Sequence, residues 1–588
     1  MEGKRGRRTD CGPASATSSM QEDFSVVLSG EAGQGIQTVE EVLTRVLKRS
    51  GYSVFATKEY MSRVRGGNNS TEIRVGSRPV RALVDAIDLL VPLQQGAIEH
   101  LGARVAPGTA IMGERSVLGD VPGLIDVPLS AMAKELGGEV FSNIIAAGAI
   151  CGILGADEGV LESYLAERFG RKGEDIVAKN LEAARKGYAI GSDLVKRGRV
   201  KVTICPDDGV RDDALMNGAE AVALGALAGG CNFIASYPMS PSTGVLTFLA
   251  QHAREFDVVV EQAEDEIAAI NMGLGAWYAG ARALVGTSGG GFALMVEGVS
   301  LAGMLETPIV VHLAQRPGPA TGLPTRTEQG DLELALYAGH GPFPRLILAP
   351  GSIEDAFRLT HRAFDQADRH QVPAFVLTDQ YLMDSYYNFP GLDLRGLEVE
   401  DHIVRTERGY RRYAITPSGV SPRGVPGNGE GLVMVDSDEH DEDGHITEDL
   451  ALRTRMVDKR MRKREGILAD CLPPELIGSA DCETLLISWG STYHAVREAI
   501  DRLGDPKVAA LHFTQVWPIH PDTAGHLKRA KRTIAIEGNA TGQFARLLRL
   551  ELGHEVDHRI LKYSGLGFSV EDVARGVRAI LDGKGGDG

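Results

Sequence analysis

Between Ala214 and Tyr386, short apolar runs alternate with helix-length segments: CNFIASYP, VVVEQA, ARALVGTS, TPIVVHLAQ and AFVLTD. Such alternation predicts parallel strands covered on both faces by helices, hence a doubly wound α/β sheet. Ligands in such sheets collect at the carboxyl ends of the strands. Ser240, Glu266, Thr287 and Arg316 all lie at or just past such ends.

Two further α/β blocks flank this one. The first, Phe24 to Leu194, opens with the strand FSVVLSG, the loop GEAGQG and a helix from Ile36. Gly30, Gly33 and Gly35 suit a tight turn whose N–H groups face an anion. Their order, G-x-x-G-x-G, is not the dinucleotide order G-x-G-x-x-G. Further on, Lys58, Arg63 and Arg65 stand beside a turn expected at Gly66 to Asn69; they can hold a carboxylate or phosphate, or belong to a solvated hairpin. A third block, from Glu475 to about Leu581, returns to the α/β pattern. Before it, TPSGVSPRGVPGNGEG, the acidic DSDEHDEDGHITED and the basic RTRMVDKRMRKREG read as a solvated loop followed by a charged helix. The acidic run lacks the order of a calcium loop.

At 588 residues the chain has room for three or so domains. Its net charge of −17 argues against nucleic acid as a partner. No apolar run reaches the roughly 18 residues that cross a bilayer. The first 22 residues carry no apolar segment for a secretory signal, so a disordered tail and a cytoplasmic location are expected. Cysteines stand at 11, 151, 205, 231, 471 and 482 with no C-x-x-C, so no metal or cluster site is read in this chain.

Four features of the second block carry chemistry. In SYPMSPST, Pro238 ends a strand, Ser240 stands where a helix N-cap belongs and Pro241 would be the first helical residue. Glu264, Asp265 and Glu266 open a small-residue helix. GTSGGGFALMVEG puts three glycines between strand and helix, and AQRPGPATGLPTRTEQGDL is a long loop with Arg316 at a strand end. Each has a plainer explanation alone: a well-built corner, a helix-dipole complement, close strand–helix packing, a surface ion pair.

Together they resemble the alpha subunit of the 2-oxoacid:ferredoxin oxidoreductases, thiamine-dependent enzymes that make acyl-coenzyme A. Tyr237 to Thr243 is similar to that family's Tyr-Pro-Ile-Thr-Pro-Ser-Ser, and Gln315 to Leu332 to its Gln-Arg-x-Gly-Pro-Ser-Thr-Gly-x-Pro-Thr-x-x-Glu-Gln-x-Asp-Leu loop, with Ala320 for the serine. SGEAGQGIQTV and KEYMSRVRGGNNSTEIRV resemble the family's gamma domain, so gamma and alpha parts are fused in the 2-oxoglutarate type of order. The resemblance implies a multidomain α/β protein. A disordered tail at 1–22 precedes a gamma-type α/β domain at 23–195 and a linker at 196–213. A thiamine pyrimidine-binding, doubly wound parallel-sheet domain follows at 214–386, then an irregular charged segment at 387–474 and a transketolase C-terminal-like α/β domain at 475–583.

It also implies roles. Glu266 takes the place of the glutamate that hydrogen-bonds N1′ of the thiamine aminopyrimidine; it is preferred to Glu264 because nine residues separate it from Gly275. Thr287 and Gly289 belong with it in cofactor binding. Ser240, in place of a threonine, meets the 2-oxoacid, and Arg316 takes its carboxylate, for which the guanidinium fork suits it. Thr325 and Lys58 are further substrate contacts. The diphosphate half is missing: the Gly-Asp-Gly that would hold diphosphate and magnesium occurs only at 586–588, with no asparagine after it. Thiamine diphosphate is therefore expected to be shared with a beta subunit that brings Mg2+ and a [4Fe-4S] cluster, in a heterotetramer of two alpha and two beta chains. Ferredoxin takes the electrons and coenzyme A the acyl group. The acid expected is 2-oxoglutarate; pyruvate, branched-chain or aryl 2-oxoacids, or a non-catalytic nucleotide-binding partner subunit, are the alternatives.

Overall fold

In the computed structural model of the chain, the described residues are 23–32, 34–62 and 66–584. The tail at 1–22, Gly33, Arg63, Arg65 and the Gly-Asp-Gly at 586–588 lie outside them. Two units divide the chain: one runs to Met216 and takes in Ser385–Leu392, the other holds Asn217–Asp384 and the chain from Asp393.

The first unit is built on β1 (Asp23–Ala32), α1 (Ile36–Arg49), β2 (Ser53–Glu59), β3 (Gly66–Gly76), β4 (Leu89–Pro92), β5 (Ala110–Gly113), β6 (Ile125–Asp126), α2 (Ser142–Leu154), α3 (Glu174–Lys196) and β7 (Ala214–Asn217). Strand alternation sorts β1: Phe24, Val26 and Leu28 enter the main core, while Val27 packs on the opposite face with Ile87, Leu90 and Ile111. The helix α1 buries Val39, Val42, Leu43, Val46 and Leu47, a period-3.6 stripe, into the same main core. Helices α2 and α3 touch through backbone. A Cβ on Gly148, Gly152, Gly187 or Gly191 would collide with a carbonyl of the other helix. Gly66 to Asn69, expected as a turn, instead begins β3, because the antiparallel pairing with β1 extends to Asn69 and Gly66. Tyr386, expected to close the second block, and the residues after it, expected to be irregular, form a strand, Tyr386–Phe389, that pairs antiparallel with β2.

The second unit contains the doubly wound sheet. Its elements are β8 (Phe233–Ser236), α4 (Thr243–His252), β9 (Val259–Gln262), α5 (Glu266–Tyr278), β10 (Ala283–Thr287), α6 (Gly289–Leu305), β11 (Ile309–Gln315), α7 (Leu332–Tyr337), β12 (Leu346–Leu348) and β13 (Pro373–Asp379). These strands run parallel in the order β12-β13-β11-β10-β8-β9, and Gln515–Trp517 adds an antiparallel edge at β12. Register brings the carboxyl ends level, with Ser236 opposite both Gln262 and Gly286, and Thr287 opposite Leu313. A separate five-stranded sheet, centred on Thr484–Trp489, forms the last block.

The connecting segment is less solvated than its composition suggests. Glu439 holds Arg453 and Arg460, and His440 is fully buried with its ring 3.8 Å from that of Tyr413. The basic run forms α8 (Leu450–Ala469), which buries Lys459 and Lys463 against Glu306, each ammonium 2.6 Å from a carboxylate oxygen. No helix among the described residues is long and apolar enough to cross a membrane.

Candidate active site

Four loops meet at the level strand ends. After β8 the chain turns through Tyr237–Ser242 into α4. Ser240 is not the N-cap: helix α4 starts at Thr243 with Ser242 before it, and the Ser240–Pro241 peptide is cis. A residue preceding proline is driven out of the helical region, so the helix begins beyond the second proline. Ser242 closes the corner by donating through N–H and Oγ to the Met239 carbonyl at 2.9 and 2.8 Å. Ser240 is half-buried, and its carbonyl accepts a hydrogen bond from Arg316 Nη1 at 2.9 Å.

At the next corner Asp265 caps α5, its carboxylate accepting the Ala268 N–H at 2.7 Å. This leaves Glu266, the first helical residue, 4% exposed, whereas Glu264 is exposed. Glu266 Oε1 is buried with no hydrogen-bond partner among the described residues. After β10, Thr287 is fully buried and Ser288 precedes Gly289, Gly290 and Gly291 at the start of α6. These glycines do more than let strand and helix close up. A Cβ on Gly289 would strike the Asp331 carboxylate, and one on Gly291 would strike Thr287 Oγ1 and lie 2.6 Å from Glu266 Oε1. Two carboxylates thus stand against the amide end of one helix, an arrangement that the helix dipole favours.

The loop after β11 supplies the rest. Arg316 is half-buried; burial lowers the pKa of its guanidinium, opposed by Asp331. Its Nη1 is engaged by Ser240, while Nε is buried and unpartnered. The loop folds back through Ala320 and Gly322, both at positive φ; a Cβ at Gly322 would collide with the Pro317 carbonyl. Thr325 lies half-buried in a turn of this loop. The loop's end is pinned: Gln315 Oε1 accepts the Asp331 N–H at 3.0 Å, and Gln329 exchanges backbone and side-chain bonds with Gly538 and Trp489. Asp331, to which no role was given from sequence, is half-buried, with Oδ2 buried and without a partner among the described residues; desolvation, then Glu328, push its pKa up to about 7 against the pull of Arg316.

Glu266 Oε1, Ser288 Oγ, Asp331 Oδ2 and Arg316 Nε are therefore buried polar atoms without partners among the described residues, on loops that meet at the α6 N-terminus. Each such group costs on the order of 1–3 kcal/mol if it faces nothing. Their collection at the carboxyl end of a parallel sheet fits a polar ligand that supplies the missing hydrogen-bond partners.

Lys58 belongs to the first unit, where its ammonium sits 3.2 Å from Glu40, beside a cavity of about 300 Å³ that Thr38, Asn69 and Thr71 also line. The glycine loop of that unit is filled by protein: Gln34 Oε1 accepts the Glu31 N–H at 2.7 Å and lies against Gly30, and Asn143 lies against Gly35. A larger cavity, about 810 Å³, opens beyond Gln34 and Gly35 toward Asn143, Lys172 and Asn180.

Residues 224–459 match a family described as "Pyruvate flavodoxin/ferredoxin oxidoreductase, thiamine diP-bdg", and residues 25–190 match "Pyruvate ferredoxin/flavodoxin oxidoreductase". The chain is 30% identical over 630 residues to the 2-oxoacid:ferredoxin oxidoreductase subunit alpha of a Sulfolobus species, covering 95% of this chain and 98% of the relative. It is 28% identical over 622 residues to the 2-oxoglutarate oxidoreductase subunit KorA of Mycobacterium tuberculosis, covering 96% of this chain and 92% of that one. Among solved structures, 2-oxoglutarate:ferredoxin oxidoreductase from Magnetococcus marinus, with 2-oxoglutarate, coenzyme A and succinyl-CoA bound, superposes with a TM-score of 0.89 at 31% identity, covering 95% of this chain and 99% of that one.

Proposed function

The chain belongs to the alpha subunits of the 2-oxoacid:ferredoxin oxidoreductases, and we propose that with a beta subunit it oxidatively decarboxylates 2-oxoglutarate, yielding succinyl-CoA, carbon dioxide and reduced ferredoxin. The observation that carries the reading is Glu266: a buried carboxylate with one oxygen unpartnered, at the head of a helix and against the backbone of Gly291. Thiamine diphosphate, when bound, supplies the carbanion chemistry by which a 2-oxoacid loses carbon dioxide. With it bound, Glu266 would hold a proton shared with N1′ of its aminopyrimidine ring, and Thr287 and the glycines from Gly289 would shape the wall beside that ring. Arg316 offers its free Nε–H to the substrate carboxylate while its bond to the Ser240 carbonyl fixes its direction. The hydroxyls of Ser240 and Thr325, and the ammonium of Lys58, are assigned to further substrate contacts.

The magnesium ion and the [4Fe-4S] cluster are assigned to the beta subunit, in keeping with six cysteines that are spread along this sequence without a C-x-x-C. A heterotetramer of two alpha and two beta chains completes the picture. The choice of 2-oxoglutarate is supported by what the relatives from Mycobacterium and Magnetococcus are named for. Ser240 keeps the hydroxyl of the family motif's threonine and drops its methyl. The test is the purified complex with coenzyme A and a viologen dye, against a panel of 2-oxoacids. Reduction fastest with 2-oxoglutarate is the expected result; preference for pyruvate or an aryl pyruvate would overturn the substrate, and reduction with none would overturn the reaction.

A further inference from the structure

Asp331 has no part in the reaction as derived so far, yet it is among the most constrained side chains of the site. The residue is half-buried with its Oδ2 fully buried, its N–H is tied to Gln315, and its carboxylate occupies the space that the missing side chain of Gly289 leaves at the head of α6. Its Oδ2 faces no donor among the described residues. The charged groups that face it are Glu328 from its own loop and Arg316 from the end of β11, with the amide end of α6 beside it.

A carboxylate in that setting leans on Arg316 and on the amide end of α6 for what stabilisation it has. A ligand carboxylate arriving at Arg316 draws on the same cation and adds a like charge nearby, and both effects favour protonation of Asp331. Once protonated, the carboxyl has an O–H to donate where it previously had only an orphaned acceptor. We infer that Asp331 is a positioning residue for the substrate carboxylate, taking up one proton as the 2-oxoacid binds and donating a hydrogen bond to it alongside Arg316. The inference rests on Arg316 receiving that carboxylate. The proton comes from solvent and returns there on release, so no other reactant is needed.

The sign follows. Free Asp331 titrates at about 7, and in the complex it stays protonated to higher pH. Binding therefore takes up protons above neutrality, and affinity falls by up to about tenfold per pH unit there. The test uses the complete complex with its beta subunit and N-oxalylglycine, whose amide carbonyl resists attack, as the probe. Calorimetric titration in buffers of different ionisation heat counts the protons. We expect uptake approaching one proton per ligand at about pH 8, near zero and a flat affinity profile in Asp331→Asn, and a midpoint moved to lower pH in Glu328→Gln, which removes a neighbouring negative charge. Absence of uptake in the unaltered complex, or undiminished uptake in Asp331→Asn, overturns the inference, and the unaltered complex decides even if that variant does not assemble. Unchanged affinity in Arg316→Gln would instead remove the reading of Arg316 on which the inference stands.

Discussion

Glu264 and Glu266 are two positions apart, and the helix start separates them. Asp265 takes the cap, so Glu264 stays in water and Glu266 is folded under the first turn. Glu266→Gln keeps a hydrogen bond to a ring nitrogen and loses proton exchange; in the complex we expect cofactor binding retained and turnover lower by about 10²-fold or more. Glu264→Gln should leave turnover within about twofold. Steady-state rates with a parallel cofactor-binding measurement decide this, and the reverse pattern would move the role to Glu264. Arg316→Ala removes a charged hydrogen bond worth roughly 1.5–3 kcal/mol, so kcat/KM should fall at least about tenfold, mostly through KM. Unaltered kinetics would return Arg316 to holding the Ser240 carbonyl alone. Glu266 and Arg316 were legible because each sits in a motif whose residue types and order are rare in combination. Asp331 stands in the same motif, but what sets it apart is burial beside Glu328, Arg316 and Gly289, and charge environment is a product of the fold. The one available signal was a second acidic residue, three positions after Glu328, at the end of the loop.

At the scale of elements, the strand–helix alternation between Ala214 and Tyr386 was legible because parallel strands are apolar on both faces, and such runs survive any local irregularity. Corners were not. Ser240 has the chemistry of an N-cap, but the proline after it shifts the helix start to Thr243. Charge runs misled for a related reason: α8 reads as a solvated basic helix, yet Lys459 and Lys463, one turn apart, close on a carboxylate far away in the chain. That carboxylate, Glu306, ends α6 at a φ of 49° and is 1% exposed. Two buried ammonium groups and Arg412 hold its pKa well below the usual carboxylate range. Glu306→Gln would leave both lysines buried and unpaired, and loss of one partner of a buried ion pair costs about 3–5 kcal/mol. The midpoint of urea unfolding should fall accordingly. A change under about 1 kcal/mol would mean that water reaches the lysines and that α8 is not anchored through them.

For the molecule as a whole, the question is how much of an active site one chain contains. Apolar side chains on the elements that carry the orphaned groups are exposed: Tyr237 at the corner, Ile267 beside Glu266, and Leu294 on the first turns of α6. Water-exposed apolar groups beside unsatisfied polar ones are what a surface carries when another chain completes it. The cysteines point the same way. Cys151, Cys231 and Cys471 are buried, and they and the half-buried Cys482 are free, on elements scattered along the chain. The expectation is that the chain purified alone is colourless, contains no iron and turns over no 2-oxoacid. Adding the separately purified, cluster-loaded beta subunit should bring dye reduction that rises linearly and stops at one beta chain per alpha chain. Iron analysis and a titration of activity are the two measurements. Iron bound by the isolated chain would place the electron carrier here and remove the division of labour. Activity saturating at one beta chain per two alpha chains would leave the division intact but show that half of these sites never meet a partner.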